Sequence, residues 1–343
     1  MAAEEKVLLR AEDFDGQEAA SRLLRQVIPA GGMPHAVLLS GIRGVGKRSL
    51  AELISRTLLC TGRDKPCGEC PACRQLAADT HPDRTVIRPG EPLSPKGEKG
   101  KKNIPVDDIR EAVRILSAHA YEGVGRVLVI EQAEQMNGNA QNALLKTLEE
   151  PPQDTWILLL SDSPGQLLPT IRSRCWLLRL NPWPEEKVAE ILRRRGAEPE
   201  KIAECARICG GSPGRALEIA ADSEYWARRG RLMKDFFSLR ARSEILAVSG
   251  TWKDDKDQAA EMLDELEQMV SLLMKVRLGQ ADPALIREYP EEWRRAAAEG
   301  EIRGWMRLAD AITRARLLRQ NQVTWQAVVE RLLLDFMEVK SRW

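Results

Sequence analysis

The chain has 343 residues, of which 43% are hydrophobic and 30% are charged, as in ordinary soluble globular proteins with two or three domains. Its 52 basic and 51 acidic side chains leave no overall field that would gather nucleic acid or a membrane surface, so any basic surface must be local. No apolar run reaches the ~18 residues that a membrane span needs, and the first residues lack the pattern of a secretion signal. We therefore expect a cytoplasmic protein.

The first half of the chain alternates apolar runs with amphipathic stretches, which is the pattern of a parallel sheet flanked by helices. A stretch rich in Gly, Pro and Lys at residues 90–103 is expected to form a mobile surface loop. The strand candidates are HAVLLSG, RTVIRP, RVLVIEQ, TWILLLSD and CWLLRL. The helix candidates between them include KRSLAELISRTL, PVDDIREAVRILSAHA and NAQNALLKTLEE.

The first strand candidate leads into a phosphate-binding loop. Gly41, Gly44, Gly46 and Lys47 have the spacing of a Walker A motif, with a strand before them and a helix after them. The glycines would let backbone amides point at phosphate oxygens, and Lys47 would reach the outer phosphates. Arg48 follows where the motif has a Ser or Thr that binds magnesium, and arginine cannot ligate a cation. The loop is therefore predicted to be degenerate.

Four cysteines follow the helix after this loop, at Cys60, Cys67, Cys70 and Cys73. Four thiolates match tetrahedral Zn²⁺ with Zn–S distances of about 2.3 Å, and a site with four protein ligands has no open position for catalysis. In a cytosolic chain such a cluster indicates metal before disulfides, which are the alternative. The sequence therefore predicts a structural zinc site.

The third strand candidate ends where a Walker B strand carries Asp-Glu. Glu131 stands in place of the Asp that orients the metal-bound water, and Gln132 stands in place of the Glu that acts as general base. Glutamine cannot take a proton from water. Two damaged positions in one site predict that this chain does not hydrolyse ATP. The remaining glycines and Lys47 leave open whether nucleotide still binds.

After the NPWPEE segment at residues 181–186 the chain shows only helical periodicity. The sequence thus predicts three domains. Residues 1–180 form an α/β domain with residues 60–73 as a zinc-binding insert, residues 181–221 form a small helical domain, and residues 222–343 form a helical C-terminal domain.

Several motifs resemble one family closely. The segments NALLKTLEEPP, Ser173-Arg174-Cys175 and GGSPGRAL resemble the clamp-loader branch of the AAA+ ATPases, and within it the delta-prime family of bacterial DNA polymerase III. The resemblance implies an AAA+ (RecA-like) parallel-sheet domain, a helical lid and an all-α collar that joins subunits. It also implies zinc at the four cysteines.

The resemblance assigns roles to three further residues. In this family the arginine of the Ser-Arg-Cys motif reaches into the ATP site of a neighbouring subunit, so Arg174 is the candidate arginine finger; a surface arginine in a local ion pair is the alternative. A planar, permanently charged guanidinium suits a γ-phosphate. Ser161 and Arg215 fall at the two sensor positions. The implied partners are the loader's ATPase subunits and a delta-like clamp-opening subunit, with the sliding clamp reached indirectly and primed DNA through the complex.

Two other functions remain open. One is an active, gamma/tau-like ATPase subunit of the same loader, which Arg48, Glu131 and Gln132 argue against. The other is a zinc-ribbon nucleic-acid-binding protein, which would need basic and aromatic residues near the cysteines and a basic net charge. We expect instead a non-hydrolysing, delta-prime-type subunit of the DNA polymerase III holoenzyme, which helps to load the sliding clamp onto primed DNA during replication.

Overall fold

The computed structural model describes residues 10–94, 100, 103–253, 258–287, 289–321 and 323–340. Part of the loop expected at residues 90–103 lies outside these ranges. The chain divides into two compact units, Met1–Ala220 and Ala221–Trp343.

A five-stranded parallel sheet lies in the first unit. Its strands are β1 (Ala36–Ser40), β2 (Arg84–Ile87), β3 (Arg126–Ile130), β4 (Thr155–Ser161) and β5 (Trp176–Arg179). The strand order is β2-β3-β4-β1-β5, and every neighbouring pair is parallel. All residues of β1 are buried, as expected for an inner strand with both faces covered. The carboxyl ends of the strands, where α/β proteins bind ligands, therefore share one edge of the sheet.

Helices precede, separate and follow these strands. They are α1 (Glu18–Arg22), α2 (Lys47–Leu59), α3 (Pro71–Ala77), α4 (Val106–Leu116), α5 (Gly138–Glu149), α6 (Pro169–Arg172), α7 (Glu185–Arg194), α8 (Pro199–Ile208) and α9 (Pro213–Ala221). A hydrophobic core joins sheet residues such as Leu128 and Leu159 to Ile109 of α4 and Leu144 of α5. The Asn137 side chain caps α5 by accepting a hydrogen bond from the backbone N–H of Ala140, 2.9 Å away.

The helix predicted for the segment PVDDIREAVRILSAHA is longer than the observed one. Helix α4 ends at Leu116, before the SAHA segment that we expected to continue it. The chain beyond it is held differently, because the Asp83 carboxylate accepts hydrogen bonds from the backbone N–H groups of Tyr121 and Glu122, at 2.7 and 2.8 Å. These hydrogen bonds hold the segment after the helix against the residue that precedes β2.

In the described ranges of the second unit, the regular secondary structure is helical. Its α-helices are α10 (Ser223–Ser238), α11 (Ile245–Trp252), α12 (Ala259–Arg277), α13 (Glu291–Glu299), α14 (Ile302–Gln320) and α15 (Trp325–Lys340). Its core combines aliphatic side chains with several buried aromatic ones. The rings of Trp293 and Phe336 stack with centroids 4.9 Å apart, and Phe237 meets Trp293 edge-on at 4.4 Å. Such pairs add to the stabilisation that comes from burial alone.

The five-stranded parallel sheet with its helices and the helical C-terminal part confirm the predicted α/β fold class with a helical C-terminal part. The separation of residues 1–180 from residues 181–221 as two domains stays a prediction. In the described parts of the chain, none of the helices combines the length and the apolar character that crossing a bilayer requires.

Candidate functional site

The predicted phosphate loop connects β1 to α2, at residues 41–46. Gly44 lies in the left-handed region with φ of +76°, which favours glycine. A Cβ atom at Gly44 would come within 2.4 Å of the Ser212 hydroxyl oxygen and within 3.0 Å of the Arg215 backbone nitrogen. The segment that begins α9 therefore packs directly on the loop, and glycine is required at this contact.

Three loop carbonyl groups are bound by residues that come much later in the chain. Arg43 accepts a hydrogen bond from the Ser212 hydroxyl at 2.7 Å, and Gly44 accepts one from the backbone N–H of Gly214 at 2.9 Å. Val45 accepts one from the indole N–H of Trp183 at 2.9 Å. The loop is thus held in its conformation by its own chain.

The Lys47 ammonium group faces its own loop. Its side chain is buried, and Nζ donates hydrogen bonds to the carbonyl oxygens of Gly41 and Ile42, at 2.7 and 2.8 Å. It also forms an ion pair with Asp162, with 2.6 Å between Nζ and Oδ1. A phosphate would have to displace these partners before it could bind Lys47.

Glu131, at the end of β3, is held between two arginines. Its Oε2 accepts hydrogen bonds from Nε of Arg48, at 2.9 Å, and from Nη2 of the same side chain. Its Oε1 accepts a hydrogen bond from Nε of Arg88, at 3.1 Å. The Glu131 side chain is only 7% exposed. The carboxylate at the predicted Walker B position is therefore paired with two cations, and one of them is Arg48, which stands at the predicted magnesium-binding position of the loop.

The charge network extends beyond Glu131. Asp79 pairs with both Arg84 and Arg88, at 3.3 and 3.1 Å. Burial lowers the pKa of Arg84. Burial also acts to lower the pKa of Arg88, but the carboxylates of Glu131 and Asp79 outweigh it and raise that pKa above its ordinary value. Both guanidinium groups remain charged, so the network keeps fixed positive charge next to Glu131.

The other predicted residues of the nucleotide site are Gln132, Ser161 and Arg215. Gln132 is exposed in a left-handed conformation with φ of +49°. Ser161 is fully buried opposite Ser40 of β1, and its hydroxyl accepts a hydrogen bond from the backbone N–H of Ser163 at 3.1 Å. The Arg215 side chain is exposed. The sensor roles of Ser161 and Arg215 stay predictions.

Arg174 follows α6 and is one-third exposed. Its Nη1 donates a hydrogen bond to the carbonyl oxygen of Thr170 at 2.9 Å and contacts the Ser173 hydroxyl at 3.4 Å. Its Nη2 lies 2.5 Å from Oε1 of Glu149, the last residue of α5. The guanidinium group is therefore near the surface and is bound by its own chain.

The four predicted zinc ligands lie together. The sulfur atoms of Cys60, Cys67, Cys70 and Cys73 are all within 4.8 Å of one another, and all four thiols are free. The sulfur of Cys60 is 3.6 Å from that of Cys67 and 3.8 Å from that of Cys70. Tetrahedral thiolates about 2.3 Å from zinc would stand about 3.8 Å apart, whereas a disulfide needs about 2.05 Å. The arrangement fits a metal ion and not a pair of disulfides.

Backbone N–H groups support the sulfur atoms. Gly62 and Cys67 donate to the sulfur of Cys60 at 3.3 and 3.4 Å, and Cys73 donates to that of Cys70 at 3.4 Å. Burial acts to raise the pKa of Cys70, but backbone hydrogen bonds from Cys73 and Thr61 outweigh it and lower that pKa to about 5. Burial raises the pKa of Cys73 to about 12. A bound cation would offset the cost of ionising this buried thiol.

Comparison with known proteins decides the family. A family model described as "DNA polymerase III, delta subunit" matches residues 16–184. A DNA polymerase III subunit delta' from Pseudomonas aeruginosa is 44% identical over 183 residues, which are 48% of this chain and 53% of that protein. A subunit delta' from Yersinia pestis is 34% identical over 261 residues, which are 73% of each chain. The chain belongs to the delta-prime family of DNA polymerase III.

The family assignment made from the motifs is thus confirmed. A DNA polymerase III subunit tau from Escherichia coli matches less well, at 33% identity over 178 residues, which are 51% of this chain and 26% of that protein. This weaker match does not favour the alternative of an active ATPase subunit. The chain spans about half the length of the Pseudomonas delta-prime relative that it matches.

Three residues of this delta-prime chain have roles at the site that sequence reasoning missed. Asp162 pairs with Lys47, Arg88 is the second partner of Glu131, and Glu149 holds Arg174. Asp162 directly follows the sensor position, and Arg88 directly follows β2, so each stands at the carboxyl end of a strand. A position at the carboxyl end of a strand could have marked Asp162 and Arg88 as candidate site residues. It could not show which side chain each of them contacts.

Proposed function

We propose that this delta-prime chain is a non-hydrolysing subunit of the DNA polymerase III clamp loader, which helps to load the sliding clamp onto primed DNA during replication. The observation that carries this proposal is the contact of Glu131 with Arg48 and Arg88. A magnesium ion at this position would face two guanidinium charges at close range, and phosphoryl transfer needs that ion to neutralise the phosphates. Gln132 supplies no general base.

The nucleotide loop then serves as a rigid part of the fold. Lys47 is engaged by Asp162 and by the loop carbonyl groups, which disfavours nucleotide binding. The hydrogen bonds from Ser212 and Gly214 to the loop support the same proposal, because they hold the lid segment against it. Ser161 and Arg215 would be remnants of sensors.

Chemistry would take place in an adjacent ATPase subunit of the loader. Arg174 would complete that neighbour's ATP site as an arginine finger, and its position near the surface supports this role. The other partners would be a delta-like clamp-opening subunit, the sliding clamp through that subunit, and primed DNA through the whole complex. Residues 222–343 would form the collar that joins the subunits, and the complex would work in the cytoplasm.

The four cysteines would hold one structural zinc ion. Their sulfur separations support tetrahedral coordination, and four protein ligands leave no open position. The zinc would hold together the insert between α2 and α3 and would take no part in ATP chemistry.

An ATPase measurement on the purified chain tests directly whether it hydrolyses ATP. Without a metal site or base it should show no magnesium-dependent ATPase above background, and the matched comparison is an active loader ATPase subunit under the same conditions. A turnover on the order of 1 s⁻¹, which is ordinary for a working enzyme, would contradict the proposal.

A further inference from the structure

Both terminal nitrogens of Arg174 are engaged within the chain. Nη2 lies 2.5 Å from Oε1 of Glu149, while Nη1 donates to the carbonyl oxygen of Thr170 at 2.9 Å. Nη1 also contacts the Ser173 hydroxyl at 3.4 Å. These nitrogens are the ones that would form a fork with phosphate oxygens. Arg174 therefore cannot use both of them on a phosphate while it keeps its present partners.

The negative charge around Glu149 favours a cation beside its carboxylate. Glu149 is the last residue of α5, a twelve-residue helix whose carboxyl end carries partial negative charge. A carboxylate at this end adds to that charge, and the guanidinium group of Arg174 neutralises both. The side chains of Glu149 and Arg174 are 49% and 33% exposed, so water and salt weaken their attraction.

We propose that Glu149 holds Arg174 in a parked state as long as no phosphate contacts the arginine, and that the γ-phosphate of a neighbouring ATP then competes with Glu149 for the same guanidinium group. This inference rests on the proposed arginine-finger role of Arg174. Partly exposed ion pairs shift an equilibrium by only about two- to fivefold, so the pair holds the arginine while it has no partner and exchanges readily. Glu149 is thus a positioning residue, which acts on the reaction through Arg174.

The parked state limits hydrolysis before the loader has engaged its substrates. While Glu149 holds the finger, only the released fraction of Arg174 can stabilise the neighbour's transition state. The Glu149 carboxylate would also repel a phosphate that approaches Arg174. Removing this one negative charge should therefore raise the basal ATPase rate of the complex.

The test uses the loader reconstituted with Glu149→Gln, which keeps the shape of the side chain and removes its charge. We expect the ATPase rate without clamp and DNA to rise about two- to fivefold, and the rate with both present to change little. Glu150→Gln is the matched control, since Glu150 is the exposed neighbour with the same charge, and it should behave as wild type. The double variant Glu149→Gln/Arg174→Ala should equal Arg174→Ala alone. Melting temperatures of each variant check that the chain is folded.

The outcomes separate this inference from the proposed function. If Arg174→Ala leaves the loader's ATPase at the wild-type rate, the finger role is wrong. If Arg174→Ala lowers the rate but Glu149→Gln does not raise it, the finger role stands and the parking role is wrong. A lower rate in Glu149→Gln would make Glu149 an orienting group and would also overturn the proposal. A merely structural ion pair would shift the melting temperature and leave the basal rate unchanged.

Discussion

Around the nucleotide loop, Glu131 is held by Arg48 and Arg88, and Lys47 is held by Asp162. The Arg48 guanidinium pairs with a carboxylate that would otherwise help to position a metal ion, and the Asp162 carboxylate pairs with a lysine that would otherwise meet a phosphate. A magnesium-nucleotide complex would bring a positive metal ion and negative phosphates. We infer that Arg48 supplies the positive charge in place of the metal ion, and that Asp162 supplies the negative charge in place of a phosphate. Removal of the Asp162 carboxylate should therefore allow Lys47 to bind a nucleotide phosphate.

Asp162→Asn should increase nucleotide affinity. The change removes the carboxylate that pairs with Lys47 and leaves the ammonium group free to bind a phosphate. We expect the affinity for ADP or ATP, measured by calorimetric titration of the isolated chain without magnesium, to rise about five- to tenfold, since charged hydrogen bonds and ion pairs of this exposure contribute roughly 1 kcal/mol. ATPase activity should still be absent, because Arg48 and Gln132 are unchanged.

The control for this variant removes the ammonium group as well. Asp162→Asn/Lys47→Ala should bind nucleotide no better than wild type. If Asp162→Asn itself gains no affinity, or if the double variant retains the gain, the carboxylate does not compete with phosphate for Lys47.

The insert between α2 and α3 is too short to have its own hydrophobic core, and its sulfur atoms stand close together. Pro71 occupies the first turn of α3, and the Cys70 sulfur caps that helix by accepting a hydrogen bond from the backbone N–H of Cys73. A Cβ at Gly62 would come within 2.8 Å of the Cys67 sulfur, so the turn has no room for a side chain there. The fold of the insert places the four sulfur atoms together, and the proposed zinc ion would in turn stabilise the insert.

Cys70→Ser should remove the metal and destabilise the chain. A serine hydroxyl replaces the thiolate that zinc prefers, and the folding free energy supplied by the metal is lost. We expect about one zinc per wild-type chain by elemental analysis, much less in the variant, and a melting temperature lower by several degrees, since ~1 kcal/mol shifts it by roughly 2–4 °C in a domain of this size.

Cys175→Ser is the matched control for the zinc experiment. Cys175 is a free cysteine that does not belong to the cluster of four, so its loss should not affect the metal. This variant should keep its zinc. Full zinc content in Cys70→Ser, with unchanged stability, would instead indicate free thiols without a metal.

At the scale of strands, helices and loops, the sequence predicted the structure best where residue spacing alone determines the geometry. The apolar runs predicted all five strands, and the cysteine spacing predicted a cluster that the fold brings together. The pairs Lys47–Asp162 and Arg88–Glu131 could not be predicted, because they depend on the order in which the strands lie side by side. Hydrophobic periodicity identifies strands but carries no information about that order. It also extended α4 too far, since it could not foresee that Asp83 would bind the backbone of the next loop.

Considered as a whole molecule, the chain combines a nucleotide loop that we propose to be inactive with an arginine near the surface. Lys47 binds the carbonyl groups of the loop and pairs with Asp162, and Ser212 also binds the loop. The ion pair of Arg174 with Glu149, in contrast, is partly exposed to solvent. In an assembled loader such a subunit would contribute to a neighbour's reaction and not to one of its own. The second unit, with its own hydrophobic core, would provide the surface for assembly.

The most direct test compares Lys47→Ala with Arg174→Ala in the reconstituted loader, with clamp and primed DNA present. Each variant removes one cation, and size measurement shows whether each still assembles. Arg174→Ala should lower the ATPase rate by about the share of one site and slow clamp loading, since an arginine finger can contribute ~10³–10⁵ in rate at the site that it completes. Arg174→Lys should restore little, because a point charge does not reproduce the planar fork. Lys47→Ala should change turnover far less than Arg174→Ala, and a greater loss in Lys47→Ala would show that this subunit's own loop takes part in hydrolysis.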